Sequence, residues 1–136
     1  MNGKSQSGFT LIEIVVATFI MILGMAMIGS VVTEVSKKNF LSLRHTQAVI
    51  LAQNRIEILL NYGYNSSQMQ DGSYENPLNP VDQTGFASGV FTQFWDIEDL
   101  NPIEKSKLIT SSVTWLDADG EERWVILTAV GVDESN

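Results

Sequence analysis

The chain has 136 residues, no cysteine, 44% apolar residues and a formal charge of −8. A phosphate backbone needs Lys and Arg to neutralise it, so the acidity argues against direct nucleic-acid binding. Without cysteine no disulfide or thiolate metal site can form, and the length suits one small domain plus one long apolar helix.

The charge is unevenly spread. Between Phe9 and Thr33 only Glu13 is charged, whereas from Tyr62 onward thirteen acids face Lys105, Lys107 and Arg123. Residues 1–8 form a short polar stretch that ends at Gly8, and Phe9-Thr10-Leu11-Ile12-Glu13 follows. Ile14 to Val32 is then an apolar run of nineteen residues, close to the ~30 Å of a bilayer core at about 1.5 Å per residue. A carboxylate at the edge of such a segment costs a few kcal/mol or more, which marks Glu13 as functional. Gly24 and Gly29 soften the run, but their spacing is not that of GxxxG. Basic residues do not settle orientation: Lys4 flanks one side, while Lys37 and Lys38, offset by Glu34, flank the other.

The helical pattern continues past the apolar run. Leu41, Ala48, Ala52, Ile56 and Leu59 share one face, widened by Val49, Leu51 and Leu60. Asn61-Tyr62-Gly63 is the expected stop, with Gly63 in the left-handed conformation. Phe9 to Asn61 is thus read as one helix of roughly 80 Å, apolar all round in its first half and amphipathic in its second. His45 falls on the apolar face and is read as a half-buried packing residue, since no second His or Cys completes a metal site.

Residues 62–89 are rich in Asn, Ser, Gly, Gln and Pro and are read as a connecting loop, with local packing favoured for its aromatics; Tyr64 is also a candidate contact surface. Three strands follow, over Val90–Ile97, Lys107–Leu116 and Glu122–Val130. Asp117-Ala118-Asp119-Gly120 reads as a type I turn with Gly120 left-handed. That turn sets Trp115 opposite Arg123, Val113 opposite Val125, and Ile109 opposite Ala129. Trp124 then falls on the face away from the helix, where two readings stay open: cover by the long loop, or a subunit interface. Asp117, Asp119 and Glu121 also offer hard oxygen ligands for calcium, but EF-hand spacing fails because Gly120 comes too early, so the hairpin turn is preferred. No nucleophile–base set, zinc pattern, P-loop or dinucleotide fingerprint is present, so an enzyme is not expected and no cofactor is implied.

The order of polar leader, Gly8, Phe9, Glu13 and an apolar run resembles a type IV prepilin. In a secretory signal peptide the cleavage site would follow the apolar run instead of preceding it. The resemblance implies an α+β pilin-like fold in which the long helix packs against a small antiparallel sheet of three or four strands. Its divisions are a leader at 1–8, a membrane and filament-core half at 9–33, an amphipathic half at 34–61, the loop at 62–89 and the sheet at 90–136, with 34–136 as the globular domain. It implies cleavage by prepilin peptidase between Gly8 and Phe9, N-methylation of Phe9, and Glu13 as the residue setting register between subunits. Implied partners are other pilin subunits, prepilin peptidase and an inner-membrane assembly platform protein. The implied location is the inner membrane with a periplasmic C-terminal domain, then the filament.

Within that family the chain departs from major pilins. It lacks their C-terminal cysteine pair and the proline they carry in the apolar helix, near Ser30 here. Phe94-Trp95, Val113-Thr114-Trp115 and Arg123-Trp124-Val125 resemble V-type minor pilins or I-type pseudopilins of type II secretion. A minor pilin that primes assembly is the preferred expectation. The alternatives are a minor pseudopilin, a major pilin, or a non-polymerising single-span protein whose acidic domain binds a partner.

Overall fold

The computed structural model describes residues 8–100 and 105–133. Helix α1 runs from Leu11 to Tyr62, and the chain divides into two compact units between Phe40 and Leu41. The expected leader, apart from Gly8, lies outside the described residues.

The first unit is the N-terminal part of α1, whose side chains are exposed all round. It is long and apolar enough to cross a membrane. The hydroxyls inside it fold back on the helix: Thr18 Oγ1 donates to Ile14 and Val15 carbonyls, and Ser30 Oγ to that of Met27. These bonds give the Thr18 and Ser30 hydroxyls acceptors within the helix, where lipid offers none. An exposed Glu34–Lys38 ion pair of 2.8 Å marks the return of polar sequence.

In the second unit α1 buries Ala48, Leu51, Ala52, Ile56 and Leu59 at helical spacing. Gly63 ends the helix with φ +81°, its N–H donating to the Leu60 carbonyl. A 3-10 turn at Ser67–Met69 follows and places Met69 in the core. The sheet is β1 (Gly72–Glu75), β2 (Phe91–Asp99), β3 (Ser106–Leu116) and β4 (Glu122–Val132), antiparallel throughout and in sequence order. The β3–β4 pairs Trp115–Arg123, Val113–Val125 and Ile109–Ala129 are those expected from the turn. Gly120 has φ +80°, and its N–H bonds the Asp117 carbonyl.

One face of the sheet meets the helix in two clusters. Ala48, Leu51 and Ala52 pack with Val81, Phe91, Val113, Trp115 and Val125, and Ile56 and Leu59 pack with Met69, Trp95, Ile97 and Ile109. This is the helix-on-sheet architecture of a pilin-like α+β fold.

Two expectations are corrected. The segment expected to be a loop contains β1, which pairs with the rim of β2 and stacks Tyr74 on Trp95 at 6.0 Å between ring centroids. His45 is exposed, meeting Trp115 only edge-on at 6.3 Å. Of the two readings left open for Trp124, cover by the loop is set aside, because the side chain is 64% exposed.

The rest of the loop is pinned by side-chain amides. Buried Gln93 donates from Nε2 to the Leu51 carbonyl at 2.9 Å and accepts from Asn76 Nδ2 at 2.9 Å. Asn79 brackets the Gln93 backbone, accepting from its N–H and donating to its carbonyl, both at 3.0 Å. Val81 bridges to Phe91, and Gly89 lies so close to Val81 that any Cβ would fall 1.8 Å from its carbonyl oxygen.

Candidate subunit-assembly site

The start of α1 is built by four residues. Thr10 is the N-cap and Glu13 the third helical residue. Thr10 N–H and Oγ1 each donate to Glu13 Oε2 at 3.2 Å, and Glu13 N–H reaches back to Thr10 Oγ1 at 3.4 Å. This is a reciprocal capping box, and its sequence signal is Thr-x-x-Glu ahead of an apolar run. The carboxylate also lies where the positive end of the helix dipole favours it. Gly8 and Phe9 precede the helix and are exposed, with no neighbour within 4 Å of a Cβ placed on Gly8. The scissile bond implied by the resemblance is therefore open, and a new amine at Phe9 would lie four residues from Glu13.

The other candidates are dispersed over the second unit. Tyr64 is half-buried, with Lys107 Nζ 4.8 Å from its ring centroid. Lys107 also donates to the Met69 carbonyl and lies 3.6 Å from Asp99, so Tyr64 takes part in local packing. Trp124 stands on the outer face of β4. Asp117 is used up within its turn. Its Oδ1 accepts from the N–H groups of Asp119 and Glu121 at 2.9 and 3.0 Å, and its Oδ2 from Arg123 Nε at 3.0 Å. Glu121 pairs with Arg123 Nη2 at 3.0 Å. Burial pushes the Asp117 carboxyl up, but the Arg123 hydrogen bond and the two N–H donors outweigh it and hold it below the usual carboxylate range. Among the described residues no cluster of His, Asp and Glu is arranged to hold a metal.

The family model described as the prokaryotic N-terminal methylation motif matches residues 3–29, which contain the whole N-terminal site. No curated protein and no solved structure matches the chain. The motif and the α+β fold together support a type IV pilin-like prepilin, a membrane-anchored subunit of structural kind. Assembly with other pilins and processing by a prepilin peptidase follow in general from such a motif.

Proposed function

We propose that the protein is a minor subunit of a type IV pilus-like filament that takes part in priming assembly. The observation that carries this is the junction Gly8-Phe9 joined to a capped helix whose apolar half has Glu13 as its one acid, inside the matched motif. Prepilin peptidase cuts between Gly8 and Phe9 and methylates the new amine. The helix waits in the inner membrane with the sheet domain in the periplasm, held by an assembly platform protein. In lipid the Glu13 carboxylate is penalised, and the Phe9 amine of a neighbouring subunit relieves that penalty while fixing axial register. The minor assignment rests on the missing cysteine pair and the strand motifs around Trp95, Trp115 and Trp124.

Mass spectrometry of the native N-terminus tests the first step: the expected product begins at methylated Phe9. A retained leader points to a non-polymerising anchor. Abundance in sheared filaments then tests the second: a trace component is expected, and a dominant one would make this the major subunit.

A further inference from the structure

Lys38, Lys107 and Arg123 each meet a carboxylate. Arg55 is different. It is half-buried, and among the described residues no carboxylate or carbonyl accepts from it. Its guanidinium carbon lies 3.7 Å from the centroid of the buried Trp95 ring. Such a cation–π contact uses the charge and leaves the N–H donors without acceptors. Burial pulls the Arg55 guanidinium below its ordinary value, as expected for a cation that has lost hydration without gaining an acid.

Arg55 lines a cavity of about 310 Å³ between α1 and the segment that follows β1. That volume falls in the range of about 300–1,000 Å³ usual for small-molecule sites. Asn54, Ile58 and Asn61 continue the helix wall. The amides of Asn54 and Asn61 make no hydrogen bond among the described residues, so both offer donors and acceptors beside the guanidinium. The remaining wall includes Asn76 and Gln93, which are locked to each other and to the Leu51 carbonyl. A wall fixed in this way costs little ordering on binding.

We propose that the cavity beside Arg55 is a binding site for a singly charged carboxylate. The fork of an arginine matches the two oxygens of a carboxylate, and stacking on Trp95 fixes the direction of that fork. Phosphate would fit the same fork, but the surrounding charge disfavours a dianion. Glu57 also lines the cavity, is exposed, and has its Oε1 held by Gln53 at 3.0 Å. From Tyr62 onward thirteen acids stand against three bases. Each added negative charge on the ligand meets this field, whereas a single one is offset by Arg55. Ile58 and Leu51 supply apolar contact for a short carbon chain. The carboxylate is either free in solution or carried on an acidic side chain. The site lies wholly within residues 51–93 and does not depend on the N-terminal processing argued above.

The test titrates the full chain in detergent micelles, at constant ionic strength, with sodium propionate. NMR follows the Arg55 Nε–H and the side-chain amides of Asn54 and Asn61. Saturable shifts of all three are expected, with propionamide and inorganic phosphate each binding at least about tenfold more weakly. Arg55→Lys keeps the charge and loses the fork, and should weaken propionate at least about tenfold. Asn61→Leu, at an exposed position, should weaken it roughly threefold and carries the test if the lysine protein does not fold. Glu57→Gln should narrow the gap between phosphate and propionate. Glutamate blocked at both ends is the second probe. Binding at least about tenfold tighter than propionate assigns the carboxylate to a protein side chain, and weaker or equal binding assigns it to a free acid. No saturable shift with either probe, an equal response to propionamide, tighter binding of phosphate, or undiminished binding by a folded Arg55→Lys protein would each overturn the proposal.

Discussion

The carboxylate of Glu13 accepts from both the N–H and the Oγ1 of Thr10, each at 3.2 Å. The acid expected to reach another subunit is thus already engaged within its own helix. Two roles are superposed on one side chain: a helix cap, worth about 1 kcal/mol, and a charge in an apolar setting. Glutamine keeps the hydrogen bonds of a capping box and removes the charge, so Glu13→Gln separates the roles. If the charge sets register, Glu13→Gln and Glu13→Ala are both cleaved normally, and both enter sheared filaments at least about tenfold less, the effect of ~1.4 kcal/mol. Normal incorporation of the Gln protein beside a deficient Ala protein would leave only the cap.

Gly89 is fixed by contact with another part of the backbone. A Cβ there would lie 1.8 Å from the Val81 carbonyl oxygen and 2.0 Å from Asp82 N, and backbone cannot rotate away as a side chain can. Gly89→Ala should cost about 3 kcal/mol, lowering the melting temperature of the sheet domain by roughly 10–20 °C. Thermal unfolding followed by tryptophan fluorescence checks this. Gly131→Ala, where Leu60 Cδ2 at 3.2 Å is the nearest atom, should be milder.

Gln93 ties the helix to the loop through the Leu51 carbonyl and Asn76. Gln93→Leu leaves the Asn76 amide buried without an acceptor and should cost about 1–3 kcal/mol. Replacing both residues with apolar ones should cost less than the sum of the two single changes. A double-mutant cycle in urea measures the difference.

Asp117 and Asp82 make the domain acid-sensitive. Asp82 is held below the usual carboxylate range by the hydroxyl and N–H of Thr84, and by the N–H of Phe86. Asp117 is held there by Arg123 and two N–H donors against the opposing effect of burial. For a depressed carboxyl the folded state binds fewer protons than the unfolded one. Its stability contribution is complete above the unfolded value of about 3.9 and fades as pH falls through the lower folded value. Stability measured by denaturant midpoint should therefore fall below about pH 4. The fall should be shallower in Asp117→Asn, which starts from a lower plateau.

The sequence made some parts of this molecule readable and hid others for identifiable reasons. The β3–β4 register was legible because Asp-Ala-Asp-Gly specifies one turn, and the turn specifies every pair beyond it. The amphipathic half of α1 was legible from its spacing, with Ala48, Ala52, Ile56 and Leu59 all buried. β1 was not, because four residues with a single aromatic show no period; they are a strand only through the rim of β2. Gln93 was hidden because a polar residue at a core position looks like a break in the alternation, and its partners lie 17 and 42 residues away. His45 followed the helix spacing but lies beyond the cover of the sheet. At the N-terminal site Glu13 is legible as the lone charge of an apolar stretch, whereas its bonds to Thr10 depend on where the helix begins.

Gly24 and Gly29 meet nothing within 4 Å where a Cβ would stand, so no contact within the molecule requires them. Their effect is mechanical. Each lowers the local helix stability by up to about 1 kcal/mol, and they lie five residues apart. A helical residue advances about 1.5 Å and an extended one about 3.3 Å. Melting only the stretch between these glycines would lengthen the segment by roughly 9 Å, nearly two helical turns. The stretch from Gly24 to Gly29 is therefore where the apolar half of α1 is intrinsically weakest as a helix.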